Sequence, residues 1–418
     1  MIFALALASL IFPFETKQSA EIVVDLPLRA PACDWAIAGK EAAVADVYLD
    51  GKLQQNVFVF GSAEPEAYTI FLGHLEPARH ELRVERNAQY SAAACSLVAT
   101  KTALAVREIP KGDAAYFSIA NAPILYARKN TIGKFSDIPL VTYFDESEEN
   151  GQRILQYTVI FSNEDGGTNT RALMARWGRT TDIEYVYRGP VGTDGIVTRA
   201  IIQGRDHKDV DFSGKREGPH PILIPITDNN MVGDNDTSAL RFQIAPGRHD
   251  AKLQSREVMM PPWTYMMMTK EMIREEKLRQ YGVVAGDKIS DPRNYLYVDY
   301  DVANHDSAVN VNVRLRSGET VYGSSLGRLD YAISRDGWVQ TTVELPPKTN
   351  ATDIAEVSFE CLVAPPEKGK AIAHDGTCHV GNAFAFLLGE DFRSSRRLEL
   401  NVNKDIPTGH ALAAIPAR

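Results

Sequence analysis

Apolar and polar residues alternate in short segments along most of the chain, and turn-forming sequences separate the segments. Alternation with a period of two is typical of strands that bury one face of a sheet. In the first hundred residues the pattern predicts strands near 44–49, 56–60, 67–72 and 80–84. These short, closely spaced strands predict an N-terminal immunoglobulin-like β-sandwich over residues 21–107.

The same alternation continues beyond this domain. It predicts a central β-sandwich domain over residues 114–263, with strands near 123–126, 138–144, 154–161, 181–188 and 196–203. It also predicts a C-terminal β-sandwich portion over residues 285–418, which we expect to pack with the central one, with strands near 295–302, 309–316, 338–345, 356–363 and 383–388. Residues 264–282 are rich in helix formers and end in a glycine. The predicted fold class is therefore all-β: multi-domain antiparallel β-sandwiches with one substantial helix.

An almost unbroken apolar run at residues 1–14 is followed by polar residues. The run is short for a membrane span and resembles the core of a signal peptide, although basic residues are missing at its start. We expect a signal peptide over residues 1–20, cleavage after Ala20, and a secreted, periplasmic or cell-surface location. Because no other apolar stretch is long enough, the sequence predicts no integral membrane span.

The four cysteines, Cys33, Cys95, Cys361 and Cys378, are even in number and show no C-x-x-C spacing. In an exported protein this arrangement favours disulfides over a zinc site, and we expect the pairs Cys33–Cys95 and Cys361–Cys378. The alternative is four buried free thiols in a cytosolic protein, because free cysteine also packs as a small apolar side chain.

Composition and missing motifs exclude several classes of function. The chain carries 54 acidic and 45 basic residues, so its net charge of -9 argues against a nucleic-acid partner. The sequence contains no G-x-S-x-G, H-E-x-x-H or G-x-x-x-x-G-K-[ST] motif and no G-x-G-x-x-G after a strand. It therefore gives no local support for serine hydrolases, zinc proteases, P-loop enzymes or Rossmann enzymes, and we expect no organic cofactor.

The densest polar region of the chain lies between residues 161 and 235. Within it, Asp182 and Glu184 stand two positions apart in a predicted strand, so both carboxylates should point to the same face. Two like charges on one face are stabilised by a cation or an arginine, or one of them takes up a proton and can act as an acid.

A turn over residues 189–195 predicts an antiparallel hairpin that brings Asp182 toward Asp206 and His207. A shift of one residue in the register would instead place Glu184 opposite Arg199 as an ordinary cross-strand ion pair. A separate alternative is that the whole cluster is a solvated loop face.

Four segments, PILY at 123–126, SDIPL at 136–140, TDIEYV at 181–186 and QGRDH at 203–207, follow an order that resembles the necrosis-inducing protein family and the related vacuolar-sorting-type domain. Proteins of that family carry a D-W-E-H-V strand after a Gly/His loop. The resemblance implies a β-sandwich in which the acids of the motif help to hold a divalent cation used in recognising surface glycolipids. Asp182 and Glu184 match these acids, whereas Ile183 replaces the tryptophan and the preceding histidines are absent. The resemblance covers about a quarter of the chain.

Two classes of function follow. The first is an exported carbohydrate-active enzyme, a polysaccharide or glycoconjugate hydrolase or lyase, in which one carboxyl protonates the leaving oxygen and a second group activates water or takes a proton. Its predicted catalytic residues are Asp182, Glu184, Asp206 and His207, and its predicted substrate-binding residues are Trp177, Arg179, Tyr185, Arg205 and His220. The second class is a non-catalytic, cation-dependent cell-surface or glycan-binding protein.

A divalent cation is expected in this region. Hard oxygen donors near glycine-bearing turns suit Ca²⁺ better than zinc. The predicted metal ligands are Glu164, Asp165 and Asp228, with Asp182, Glu184 and Asp206 as further candidates. In both classes of function the expected partner is a polysaccharide or glycoconjugate.

Overall fold

A computed structural model describes residues 9–61, 68–100, 103–131, 134–164, 169–364 and 376–414. Within these ranges the chain is mostly β-strand, and it divides into two compact units. Unit 1 comprises Met1–Gly167 and Thr181–His249, and unit 2 comprises Thr168–Thr180 and Asp250–Arg418. The predicted all-β fold class with antiparallel sheets is confirmed.

Unit 1 contains the short helix α1 (Tyr116–Ala120) and most of the strands. Its strands are β1 (Leu10–Glu15), β2 (Ala20–Leu26), β3 (Leu28–Arg29), β4 (Ala43–Leu49), β5 (Lys52–Val59), β6 (Tyr68–Leu75), β7 (Arg79–Arg86), β8 (Val98–Ala99), β9 (Ala105–Ile109), β10 (Ile124–Tyr126), β11 (Pro139–Glu149), β12 (Gln152–Phe161), β13 (Asp182–Pro190), β14 (Ile201–Gly204), β15 (Lys208–Asp211), β16 (Arg216–Glu217), β17 (His220–Pro225), β18 (Val232–Gly233), β19 (Arg241–Phe242) and β20 (Gly247–His249).

The central sheet of unit 1 has the strand order β15-β14-β13-β12-β11-β20, in which β11 to β15 are antiparallel and β20 runs parallel to β11. Smaller sheets have the orders β1-β7-β4-β5, β6-β2-β9 and β16-β17-β10-β19. Tyr143, Tyr157 and Tyr187 are fully buried in the central sheet. This sheet carries Asp182 and Glu184 on β13.

The predicted domain boundaries near residues 107–114 and at residue 263 do not coincide with the two units. Residues 241–245 explain the difference near residues 107–114, because they bond to strands of both predicted domains. Gln243 accepts a backbone hydrogen bond from Phe71 of β6, and Ala245 donates one to Thr69. The ring of Phe242 also lies 5.7 Å from that of Phe58 on β5. One shared set of hydrogen bonds and ring contacts therefore replaces a linker.

The first residues of the described chain belong to a sheet. Leu10–Glu15 form β1, which pairs with β7 from Leu10↔Val84 to Glu15↔Arg79. Ala20 and Glu21 are buried at the start of β2. The signal peptide over residues 1–20 and its cleavage stay a prediction.

Unit 2 contains the helices α2 (Thr170–Trp177) and α3 (Pro262–Arg274) and a two-sheet sandwich. Its strands are β21 (Tyr295–His305), β22 (Ser307–Leu315), β23 (Val321–Gly323), β24 (Gly337–Glu344), β25 (Ile354–Val363), β26 (Thr377–Phe386), β27 (Leu398–Leu400), β28 (Lys404–Pro407) and β29 (Ala411–Ala414). The sheets have the orders β24-β21-β26-β27 and β23-β22-β25-β29, and β28 also pairs with β26. Alternate residues of both sheets, such as Val298, Tyr300, Val311 and Phe359, form the common core.

The substantial helix α3 is shorter than the predicted helix over 264–282. It begins at Pro262, a residue that suits a first helical position because its missing N–H needs no partner there. It ends at Arg274, because Glu276 adopts a left-handed conformation with φ of 55° and the amide of Lys277 donates to the carbonyl of Met272 at 2.9 Å. This reversal is a common way for a helix to end, and it overrides the helix-forming side chains that follow.

Both predicted disulfides, Cys33–Cys95 and Cys361–Cys378, are present. Cys361 and Cys378 connect β25 to β26 within the core of the sandwich. No helix within the described ranges combines the length and the apolar character that crossing a bilayer requires.

Candidate functional site

The two acids of β13 reach different partners. Phe161 and Val159 of β12 pair with Asp182 and Glu184 in the sheet. Asp182 is buried, and its Oδ2 atom accepts a hydrogen bond of 2.9 Å from Nδ2 of Asn230. The carboxylate of Glu184 is 15% exposed, and its Oε2 atom lies 3.9 Å from Nδ1 of His207. A buried acid and a surface acid therefore stand on the same strand.

The alternative register for Glu184 does not occur. Arg199, its partner in that alternative, instead donates from Nη2 to Oε1 of Gln152 at 3.2 Å. The strands β13 and β14 are antiparallel, as the predicted hairpin requires, with Arg188 opposite Ile201. Their pairing brings His207 to Glu184.

Four buried side chains, Asp137, Asn163, Asp182 and Asn230, form what we term the Asn230 cluster. Nδ2 of Asn230 lies within reach of three acceptors: Oδ2 of Asp182 at 2.9 Å, Oδ1 of Asp137 at 3.2 Å and the carbonyl oxygen of Asn163 at 3.4 Å. An amide nitrogen has two hydrogens, so it cannot serve three acceptors fully. Oδ1 of Asn230 is buried and has no hydrogen-bond partner among the described residues.

The loop before β11 holds Asp137 in this cluster. Asp137 has a left-handed conformation with φ of 52°, and its amide donates to Oδ1 of Asn163 at 2.8 Å. Its carboxylate also forms an ion pair with the buried guanidinium of Arg128, which in turn pairs with Asp228. The positive charge of Arg128 offsets part of the negative charge that the buried carboxylates bring together.

A turn over residues 226–231 connects the buried cluster to the surface. The backbone closes through Ile226, whose amide donates to the carbonyl of Met231 at 2.7 Å. Thr227 stabilises the turn by donating from Oγ1 to Oδ1 of Asn229 at 2.8 Å. Asn230 adopts a φ of 55° and is fully buried, whereas its neighbour Asn229 is half-buried at the surface. The same turn therefore directs the amide of Asn229 toward the surface and the amide of Asn230 into the interior.

The outward side is a polar surface, which we term the His207 patch and define by Glu184, Gln203, Arg205, His207 and Asn229. Nδ1 of His207 lies 3.0 Å from Nε2 of Gln203, and its Nε2 lies 3.3 Å from Nδ2 of Asn229. Arg205 donates to the carbonyl of Ile226 at 3.3 Å. The imidazole is 54% exposed, so the patch is open to solvent.

Tyr185 lies beside this patch on β13. Its hydroxyl donates to the carboxylate of Asp209 on β15. Burial, together with that carboxylate, raises the pKa of Tyr185 far above its usual value. The phenol is therefore a neutral group that contributes hydrogen bonds and a ring face.

The structure does not bring every predicted site residue here. The side chain of Asp206 is 82% exposed, and its nearest charged partner is Nζ of Lys208 at 3.9 Å. Asp228 is held by Arg128, Glu164 is half-buried, and Asp165 lies outside the described residues. Among the described residues, no group of three or more His, Cys, Asp or Glu side chains is arranged to hold a metal ion.

Three predicted substrate-binding residues lie in other surroundings. Trp177 and Arg179 belong to unit 2, where the guanidinium of Arg176 lies 4.3 Å from the ring of Trp177 and where Arg179 forms a buried ion pair with Glu257. His220 is buried at the start of β17. These residues have structural partners instead of open faces.

The sequence analysis missed Asp137, Asn163 and Asn230 as site residues. Asp137 and Asn230 carry a detectable signal, because acids and amides in tight turns favour left-handed conformations. Asn230 contacts Asp182 and Asp137 across separations of 48 and 93 residues, and no local pattern in the sequence indicates such contacts.

Comparison with known proteins gave weak matches. No protein-family model matches the chain, and no curated protein matches it. Solved structures of NLPPya in complex with mannosamine and with glucosamine are 12% and 13% identical, and each match covers 33% of this chain and 75% of the other with a TM-score of 0.25. The alpha toxin from Clostridium absonum is 15% identical, with 36% of each chain covered and a TM-score of 0.21. The likeness to the necrosis-inducing proteins is thus a remote resemblance.

Proposed function

We propose that unit 1 binds a glycan through the His207 patch and that a divalent cation at the Asn230 cluster orders this surface. The observation that carries the proposal is the convergence of three acceptor oxygens on Nδ2 of Asn230. The turn over residues 226–231 links these oxygens to the patch. The proposal corresponds to the second class of function predicted from the sequence.

The oxygens of the cluster suit a hard cation. Two carboxylates, of Asp137 and Asp182, and the carbonyl of Asn163 surround a single nitrogen, so each competes for its hydrogens. Rotating the Asn230 amide by half a turn would direct its unpartnered Oδ1 toward the same space. Ca²⁺ accepts oxygen ligands in irregular arrangements, which makes it the expected ion. The cation would neutralise the buried carboxylates and fix the turn that carries Asn229.

The His207 patch suits a hydroxyl-rich ligand. It combines an imidazole, an amide, a guanidinium and a carboxylate, which together donate and accept hydrogen bonds. Its exposure favours the binding of a ligand at a shallow surface over the enclosure of a reacting bond. For this reason we rank binding above catalysis.

Binding of immobilised glycans with and without chelator tests the proposal. We expect the wild-type protein to retain a subset of glycans, and we expect chelation to release them. Asp182→Asn should weaken binding about tenfold or more, because it removes a charge that a cation needs. Asp206→Asn is the matched control, since Asp206 lies outside the cluster and should leave binding unchanged. The proposal would be contradicted if neither the chelator nor Asp182→Asn weakened glycan binding.

A second candidate is the carbohydrate-active enzyme, and the pair of Glu184 and His207 favours it. A half-buried carboxylate 3.9 Å from an imidazole can share a proton with it, and the pair can give a proton to, or take one from, a substrate bound beside them. If the protein cleaves polysaccharides, Glu184→Gln should lower turnover by about two orders of magnitude or more without changing the melting temperature. A polysaccharide panel assayed for new reducing ends and for unsaturated products separates hydrolase from lyase.

A further inference from the structure

A row of side chains crosses one sheet of unit 2. On β21, Val298 and Tyr300 point into the common core, so Asp299 between them points to the opposite face of the sheet. Asp299 pairs in register with Gln340 of β24 on one side and with Phe384 of β26 on the other. A carboxyl, an amide and an aromatic ring therefore stand side by side on three neighbouring strands.

A cavity of about 250 Å³ lies over this row. The 3₁₀ turn Arg256–Met259 and the start of α3 cover it and contribute Glu257 and Tyr265. Phe384 and Arg397 line it from β26 and from the segment before β27. A volume of this size holds a molecule about as large as a monosaccharide.

Three of the polar side chains that line this cavity are buried. Asp299, Gln340 and Glu257 are each at most 2% exposed. Gln340 accepts from the hydroxyl of Tyr265 at 3.3 Å and donates to the carbonyl of Gly178 at 3.1 Å. Each end of its amide keeps one further hydrogen-bonding position, because the oxygen accepts two bonds and the nitrogen donates two.

Gly178 lets the amide of Gln340 come this close. It ends α2 with a φ of 64°, and a Cβ atom at this position would lie 2.6 Å from Nε2 of Gln340. A residue with a side chain would displace the amide from the cavity. The close packing thus keeps the polar group in place.

The two acids of the cavity hold different charges. Burial raises the pKa of Asp299 to about 8, with a further contribution from Glu257, so Asp299 is a neutral hydrogen-bond donor at neutral pH. Burial acts in the same direction on Glu257, but Arg179, Arg256 and Arg335 outweigh it and lower the pKa of that carboxyl. Surroundings that shift the pKa values of two neighbouring carboxyls apart are common in binding and catalytic sites.

One basic side chain, Arg397, lines the rim of the cavity. Its guanidinium lies 4.0 Å from the ring of Phe384. Arg397 is exposed, so it faces solvent and the cavity together. An exposed guanidinium beside a polar interior favours a ligand with one anionic end.

We infer that this cavity binds a small polyhydroxylated carboxylate of monosaccharide size, such as a uronic acid. The ligand's carboxylate pairs with Arg397, its hydroxyls bond to Gln340 and Asp299, and its ring packs against Phe384 and Tyr265. This site lies within unit 2 and does not depend on the function proposed for unit 1.

Isothermal titration calorimetry of the 418-residue chain tests the inference, with D-galacturonate, D-glucuronate and D-glucose as probes. We expect at least one uronate to bind about tenfold more tightly than glucose, because only the uronates offer a carboxylate to Arg397. Arg397→Gln should weaken that uronate about tenfold and leave glucose unchanged. Arg396→Gln is the matched control, since Arg396 is the neighbouring exposed arginine and does not line the cavity.

Asp299→Asn supplies an independent readout, because asparagine has nearly the same shape as aspartic acid and donates a hydrogen bond but does not ionise. The hydroxyl of Ser255 donates to Asp299, and the titratable groups around this carboxyl are Glu257, Tyr265 and Arg397. Burial raises the pKa of Tyr265 well above its usual value, and the pKa of Glu257 is lowered. Asp299 is therefore the group that titrates near pH 8, and the wild-type protein should lose uronate affinity above about pH 8 while Asp299→Asn keeps it. Thermal unfolding verifies that each variant is folded.

Three results would overturn the inference. The first is the absence of heat with either uronate, and the second is equal affinity for glucose. The third is an equal loss in Arg396→Gln and Arg397→Gln, which would show attraction to general surface charge.

Discussion

Nε2 of His220 lies 3.4 Å from Oε2 of Glu21, and both side chains are buried. Nδ1 of the same imidazole donates to the carbonyl of Ala122 at 2.9 Å, and the ring stacks on Phe71 with 4.6 Å between centroids. Glu21 belongs to β2 and His220 to β17. The pair therefore connects two segments that the sequence assigned to separate domains.

The first prediction concerns this pair. Glu21→Ala removes the buried carboxylate that faces the imidazole, and leaving a buried polar group without its partner typically lowers the free energy of unfolding by about 1–3 kcal/mol. Glu76→Ala is the control, because Glu76 also faces a histidine, His74, but its side chain is 74% exposed. That change should lower stability by less than about 1 kcal/mol. Chemical denaturation measures both, and equal losses would contradict a structural role for the pair.

The second prediction concerns the cation at the Asn230 cluster. A ligand at a hundred times its dissociation constant stabilises the folded state by about 2.7 kcal/mol. Calcium should therefore raise the melting temperature of the wild-type protein, and Asp182→Asn should abolish the increase. Asp206→Asn should respond to calcium like the wild type. If calorimetry detects no effect of calcium or chelator on the wild type, the cluster holds no cation and the proposal is contradicted.

The third prediction uses the raised pKa of Asp299. Folding keeps this carboxyl protonated up to about pH 8, whereas the unfolded chain ionises it near pH 4. The folded state thus binds one proton more than the unfolded state between these values, so the wild-type protein loses stability as the pH rises through this window. Asp299→Asn carries no such proton and should gain stability relative to the wild type from about pH 4 to pH 8. Above pH 8 the difference should become constant, which denaturation at several pH values can check.

The fourth prediction concerns the disulfides. Cys361 and Cys378 close a loop of 17 residues, and Cys33 and Cys95 close one of 62. In the loop-entropy model, replacing the first pair by alanines costs about 3 kcal/mol of stability and replacing the second costs about 4 kcal/mol. The native protein should also show no alkylatable thiol by mass spectrometry before reduction. Labelling of all four cysteines without a reductant would contradict both bonds.

Local features determined much of the fold. The period-two alternation of segments such as 295–302 predicts β21, because a strand turns successive side chains to opposite faces whatever its neighbours are. The same rule places Asp182 and Glu184 on one face of β13. The end of α3 was predicted less well, because the left-handed turn at Glu276 competes with helix-forming side chains that continue to residue 281.

Contacts distant in the sequence decided the sites. Asn230 meets Asp182 only because the turn over 226–231 packs beneath β13, and the sequence between them does not encode that approach locally. Asp299 carries a visible signal, an acid within an apolar strand, but its burial in the folded chain, with a further contribution from Glu257, raises its pKa and so determines its charge. The sequence by itself determined most of the strands and the face of each acid, since these depend on backbone geometry and residue type. It favoured disulfides, but the folded chain decides which cysteines meet. The tertiary structure decided which acids are buried, paired or protonated, because burial and Coulomb interactions depend on every element that packs around a group.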